Sequence, residues 1–173
     1  MLNLACASHR MGIEKIKSRK ELKETVETLK SQGKRIVFTN GCFDILHIGH
    51  TRYLQKAKEL GDILIVAINT DASVRNIKGK DRPITPQEER AEVLASLECV
   101  DFITFFDEPD PLNIITELQP DILVKGGDWG IDQIVGREIV EAKGGKVISI
   151  PLIEGVSTSR IIEKILNPVR KSP

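Results

Sequence analysis

Arg35-Ile-Val-Phe-Thr-Asn-Gly-Cys-Phe-Asp-Ile-Leu-His-Ile-Gly-His50 changes its hydrophobic period half-way along, and that change decides the fold. Residues 35–39 form a short apolar run with β-branched Ile36 and Val37, bracketed by Gly33 and Gly41, the pattern of a buried strand. Beyond Gly41 the period lengthens. Leu46, His50, Tyr53, Leu54, Ala57 and Leu60 recur at intervals of three and four, which predicts a helix from near Ile48 to Gly61, a glycine suited to a left-handed C-cap. His47 and His50 are three apart and fall on one face at the open end of that helix. Unpaired backbone N–H groups and the helix dipole make that end positive, so two imidazoles there suit a phosphate. The residues alone also allow a zinc fragment or two structural histidines. Zinc would need a further protein ligand, and the remaining histidine, His9, lies in a stretch without a core pattern.

Working outward, residues 62–68 are almost continuously apolar, as in a strand covered on both faces of a parallel sheet. Strand, helix and strand then make a right-handed βαβ unit. Upstream, Ser18-Arg-Lys-Glu21 reads as a capping box, with Leu22, Val26 and Leu29 on one stripe of a helix that Gly33 ends. Downstream, residues 69–83 are polar and basic with Gly79 and Pro83, and read as a loop past the carboxyl end of a strand. Lys78, Lys80 and Arg82 in that loop are placed to close over phosphates, or else form a solvated surface. Thr85-Pro-Gln-Glu88 predicts a second capped helix through Leu97, with Arg90 in reach of an anionic substrate or of a surface ion pair.

Residues 100–106 predict a third strand, followed by a short helix that begins at Asp110-Pro-Leu and stops before Pro120. Residues 121–125 predict a fourth strand, followed by Gly126-Gly127-Asp128-Trp129 at its carboxyl end. The glycines admit a close ligand, Asp128 accepts hydrogen bonds and Trp129 offers a flat face, unless it simply packs. A helix over 133–143 and a strand over 146–150 complete the alternation. Finally Gly155-Val-Ser-Thr-Ser-Arg160 opens a last helix with Ser157, Thr158 and Ser159, a second phosphate site by the reasoning applied to the histidines. Five strands alternating with helices argue an α/β, Rossmann-like, doubly wound parallel sheet with helices on both faces. The expected organisation is a tail over 1–17, one domain over 18–167 and a C-terminal tail over 168–173.

The 173 residues suit one domain. Lys plus Arg and Asp plus Glu are 25 each, so no general field favours nucleic acid or an anionic membrane, and no apolar run approaches a membrane span. Cys6, Cys42 and Cys99 form no C-x-x-C pair, which fits a reducing cytoplasm. Cys42 lacks an obvious general base beside it and reads as a small turn residue. The dinucleotide fingerprint G-x-G-x-x-G and the P-loop are both absent.

Gly41-Cys-Phe-Asp44 with His47-Ile-Gly-His50 resembles the G-x-F-D-x-x-H-x-G-H signature of the cytidylyltransferase-like nucleotidyltransferases, and Ser157 to Ser159 resemble the hydroxyl-rich start of that family's last helix. Together with Asn69-Thr-Asp-Ala-Ser73, Lys78-Gly79, Arg82-Pro83 and Lys125-Gly-Gly-Asp128, these motifs are similar in order to the adenylyltransferases of ADP-heptose synthesis. The resemblance implies that ATP and D-glycero-β-D-manno-heptose 1-phosphate give ADP-heptose and pyrophosphate, with Mg2+ on the phosphates. It implies that His47, His50 and Lys78 stabilise the reacting phosphates, and that Thr39, Asn40, Gly41, Cys42 and Phe43 line the nucleotide. Ser157, Thr158 and Ser159 would hold its outer phosphates, while Gly127, Asp128 and Trp129 would stand near the nucleoside. Arg82 and Arg90 are the weaker assignments, to the acceptor phosphate. Trp129 departs from the Tyr of many relatives. Small-molecule partners are implied, without nucleic acid, membrane or a resident protein-bound metal; a homodimer is compatible, and the kinase and phosphatase steps are expected on separate proteins. A CTP-dependent relative acting on glycerol 3-phosphate, and a non-catalytic nucleotide sensor, share the same motifs.

Overall fold

The computed structural model describes residues 12–127 and 130–167. Strands β1 (Ile36–Gly41), β2 (Ile63–Asn69), β3 (Phe102–Phe106), β4 (Ile122–Gly126) and β5 (Lys146–Ile150) form one parallel sheet in the order β3-β2-β1-β4-β5. The chain moves outward from β1 to β3, then crosses back to β4 and β5. The order therefore reverses between β1 and β4, which is where open α/β sheets leave a crevice at the carboxyl ends of their strands.

Alternation along the central strands assigns the helices to faces. Val37, Leu64, Val66, Ile68 and Val124 point to one side, where α2 (Ile48–Lys58) and α4 (Gln87–Ala95) contribute Tyr53, Leu54, Ala57, Ala91 and Leu94. Ile36, Phe38, Ile65, Ala67 and Leu123 point to the other, against α1 (Arg19–Ser31), α5 (Leu112–Leu118) and α6 (Arg137–Ala142). Both faces of β1 and β2 are buried, which is why those strands read as continuous apolar runs. The Ser18 capping box forms as predicted, its hydroxyl accepting from Glu21 N and the Glu21 carboxylate accepting from Ser18 N.

Four departures from the sequence reading have local causes. Residues 71–78 are a helix, α3 (Asp71–Lys78), rather than loop: Thr70 caps it by accepting from Ser73 N, and Val74 is buried. The next helix is capped at Pro86 instead of Thr85, whose amide donates to Asp44 Oδ1. Residues 133–143 are not one helix, since Gly136 takes a left-handed conformation immediately before α6 and only a 3-10 turn precedes it. Within residues 12–17, expected in the tail, a 3-10 turn (Ile13–Lys15) leads to the sheet edge, where Ile16 bridges Ile103 and Lys17 N donates to Ile103 O at 2.8 Å. Among the described residues no helix is long and apolar enough to cross a membrane.

Candidate active site

The loop after β1 is built by its own residues. Phe43 adopts a left-handed φ of 46°, and its ring packs so closely over Gly41 that a Cβ there would meet it at 3.0 Å. Asp44 then turns inward, 5 % exposed, and its carboxylate accepts from Ile84 N, Thr85 N and, at 2.6 Å, Arg82 Nε. These bonds keep the carboxyl below its ordinary range against the opposing effect of burial. Arg90 fixes the same loop from beneath. Its guanidinium, wholly buried, donates to the carbonyls of Cys42, Asn69 and Thr85 and to Asp71 Oδ1. Arg90 is thus a strut joining the ends of β1 and β2, and not a group open to an acceptor phosphate as the sequence suggested.

His47 sits at the N-cap of α2 in extended conformation, and the His47 and His50 rings stack with centroids 3.8 Å apart and planes 16° from parallel. Gly49 makes this possible, because a Cβ there would stand 2.9 Å from His47 Nδ1. Phe43 closes the other side of His50 at 5.2 Å. Burial lowers both histidine pKa values; for His50, burial and the neighbouring His47 bring it down to about 4. Both rings are therefore neutral at pH 7. Each encloses its Nδ1 without a hydrogen-bond partner, which leaves Nε2 as the nitrogen able to meet a ligand. A tautomer protonated at Nε2 presents a neutral donor to a phosphate oxygen.

Across from the histidines stands α7 (Thr158–Leu166), with Ser157 as N-cap accepting from Arg160 N. Thr158 Oγ1 donates to Ile45 O at 3.2 Å and ties this helix end to the signature loop. Two helix N-termini, those of α2 and α7, thus face one cavity of about 400 Å³ at the point where the strand order reverses. Of the residues singled out in the sequence, Asn40, Gly41, Cys42, Phe43, His47, His50, Lys78, Arg82, Ser157, Thr158 and Ser159 line it, Arg82 while paired with Asp44.

Other expected site residues stand elsewhere. Thr39 is fully buried, with its hydroxyl 2.6 Å from Tyr53 Oη, and it does not reach the cavity. Gly127 donates its amide to Ile150 O; Gly126 lines the cavity in its place. Asp128 and Trp129 lie outside the described residues. Sequence reading passed over Tyr53, Leu152, Val156 and above all Lys125 as cavity residues. A signal for Lys125 existed: it is a lone cation directly after the buried run Ile122-Leu-Val124.

Among the described residues no group of three or more His, Cys, Asp or Glu side chains could hold a metal. Asp44, the carboxylate nearest the histidines in sequence, is already engaged by three donors. The donor set among the described residues does not fit a resident metal.

The fold together with the matching family model marks a Rossmann-like α/β nucleotidyltransferase. Residues 38–164 match the family model described as Cytidylyltransferase-like. Bifunctional protein HldE of Citrifermentans bemidjiense is 58 % identical over 153 residues, covering 88 % of this chain and 31 % of that protein. Bifunctional protein HldE of Geobacter sulfurreducens is 52 % identical over 158 residues, covering 91 % and 32 %. The crystal structure of the lipopolysaccharide core biosynthesis protein from Thermoplasma volcanium GSS1 superposes with a TM-score of 0.58 at 33 % identity, over 70 % of this chain and 98 % of that one. The chain belongs to the cytidylyltransferase-like family, and it spans about a third of the length of the two HldE proteins.

Proposed function

We propose that the protein transfers AMP from ATP to D-glycero-β-D-manno-heptose 1-phosphate, releasing pyrophosphate and ADP-heptose. The observation that carries this reading is the stacked His47–His50 pair at the start of α2, facing Ser157, Thr158 and Ser159 at the start of α7 across one cavity. Two helix ends and a set of neutral donors suit a triphosphate. The similarity to the HldE proteins, together with the motif order, supports adenine and the heptose over other members of the family.

In this reading the acceptor phosphate is already an oxyanion and attacks the α-phosphorus directly. The enzyme supplies no nucleophile. Its contribution is to hold the two anions in line and to stabilise charge as it moves onto the pyrophosphate. His47 and His50 donate from Nε2 to phosphate oxygens, while Ser157, Thr158 and Ser159 hold the outer groups. Lys78, exposed at the end of α3, adds a cation over the same cavity. Magnesium, arriving with ATP, neutralises part of the pyrophosphate charge.

Pyrophosphate release tests this with ATP and CTP crossed against heptose 1-phosphate and glycerol 3-phosphate. Release with ATP and the heptose alone is expected. Release with CTP and glycerol 3-phosphate would keep the mechanism and overturn the substrates, and binding of ATP without release from any pair would favour a nucleotide sensor.

A further inference from the structure

A second cavity, of about 390 Å³, opens beside the first at the carboxyl ends of the strands. Asn40, Gly41, Lys78 and Lys125 line both, so these four residues form the wall between them. Lys125 is the half-buried member that bears charge. Its ammonium donates to Asn40 Oδ1 at 3.2 Å, and no carboxylate pairs with it among the described residues. Burial accordingly lowers its pKa from the usual ammonium value. A half-buried ammonium whose partner among the described residues is an amide oxygen is stabilised by an anion that joins it.

The lining of the second cavity indicates what that anion is attached to. Phe106, Pro111, Leu123 and Ile134 give it apolar walls, and Asn69, Asp110 and Gln133 add amide and carboxylate groups. That mixture suits a polyhydroxylated ligand, whose hydroxyls need both donors and acceptors and whose C–H faces need apolar contact.

We propose that Lys125 binds the phosphate of a sugar-phosphate acceptor lodged in the second cavity and presents it to the α-phosphate held in the first. This rests on the adenylyl-transfer reading given above. The bond from an acceptor oxygen to the α-phosphorus forms while the bond from that phosphorus to the bridging oxygen breaks, and the electron pair leaves with pyrophosphate. Lys125 keeps its proton throughout. Its role is to offset the repulsion between two anions that must approach within bonding distance.

The test uses K125M and K125R beside the wild type, with calorimetric titration of inorganic phosphate into protein saturated with the non-hydrolysable nucleotide AMPCPP. K125M is expected to weaken phosphate binding by about 10- to 100-fold, the scale of a hydrogen bond to a charged group, with AMPCPP affinity within about twofold. K125R, which keeps the charge, should recover most of the phosphate affinity. In turnover with heptose 1-phosphate, K125M should raise the acceptor KM by a similar factor and leave the ATP KM in place. Absence of phosphate binding to the nucleotide-saturated wild type, unchanged phosphate affinity in K125M, or an equal loss of AMPCPP affinity would each overturn the proposal. If the wild type binds phosphate through Lys125 yet releases no pyrophosphate with heptose 1-phosphate, the substrate reading fails and the anion role of Lys125 stands.

Discussion

Asp44 and Arg82 meet 2.6 Å apart at the edge of the histidine cavity, and the same carboxylate holds the amides of Ile84 and Thr85. One side chain, itself in the signature loop, thereby fastens the segment between α3 and α4 against that loop. Asp44→Ala would leave two amides and a guanidinium without their acceptor, so a loss of about 2–4 kcal/mol is expected in urea unfolding. The sign with pH follows from the depressed carboxyl pKa. Its stabilising contribution is present above the unfolded value near 4 and is lost as pH falls through the lower folded value. The wild-type advantage over Asp44→Asn should therefore shrink under acid; an advantage that persists well below that window would argue against an ionised Asp44.

Arg90 makes the second prediction. Four acceptors surround one buried guanidinium, three of them main-chain carbonyls at strand or loop ends. Lysine cannot reproduce that planar fork, so Arg90→Lys should destabilise by about 2–4 kcal/mol and lower the melting temperature. A variant with wild-type melting and a raised acceptor KM would instead restore the phosphate contact expected from sequence.

Arg90 also marks the limit of what sequence could convey. Strand and helix positions were legible, because alternation and the three-four period are local, and so was the histidine pair, because its spacing and turn are local too. The burial of Arg90 depends on the carbonyls of Cys42 and Asn69, which come from two different strand ends. Beside Glu88, Glu89 and Glu92 it reads as one more surface charge. Helix α3 was missed for a related reason: Thr70 and Val74 decide it, whereas Gly79, Lys80 and Pro83 dominate the composition of the stretch. Lys125 escaped because its meaning lies in the two cavities it separates.

His50 should give the protein a pH dependence on the acid side of neutrality. Its folded pKa, about 4, lies below the ordinary value near 6.5, so the unfolded chain binds the extra proton between those values. Stability therefore falls as pH drops from 6.5 toward 4, by up to about 3 kcal/mol from this group. Subtracting the curve of His50→Gln isolates it from the carboxylates. A triphosphate beside the ring favours the charged form, so nucleotide binding near pH 6 should take up protons. Calorimetry in buffers of different ionisation enthalpy measures that uptake, and none would be seen if the imidazoles stay clear of the phosphates.

Gly49 separates the role of the histidine stack from its mere presence. A Cβ at this helical position would stand 2.9 Å from His47 Nδ1 and 3.0 Å from its Cε1, while the next neighbour, Val156 Cγ1, is at an ordinary 3.7 Å. Alanine favours the helix over glycine by about 1 kcal/mol, which offsets part of the crowding, so Gly49→Ala should remain folded. The flexible side chain is what yields, and His47 must leave its place against His50. If both rings act on charge that develops during transfer, kcat should fall on the order of 100-fold with a much smaller change in ATP affinity, the pattern also expected of His50→Ala. Equal losses in kcat and in affinity would make the pair a ground-state binding element. Full activity in Gly49→Ala would mean that the stacked geometry is not what the reaction uses.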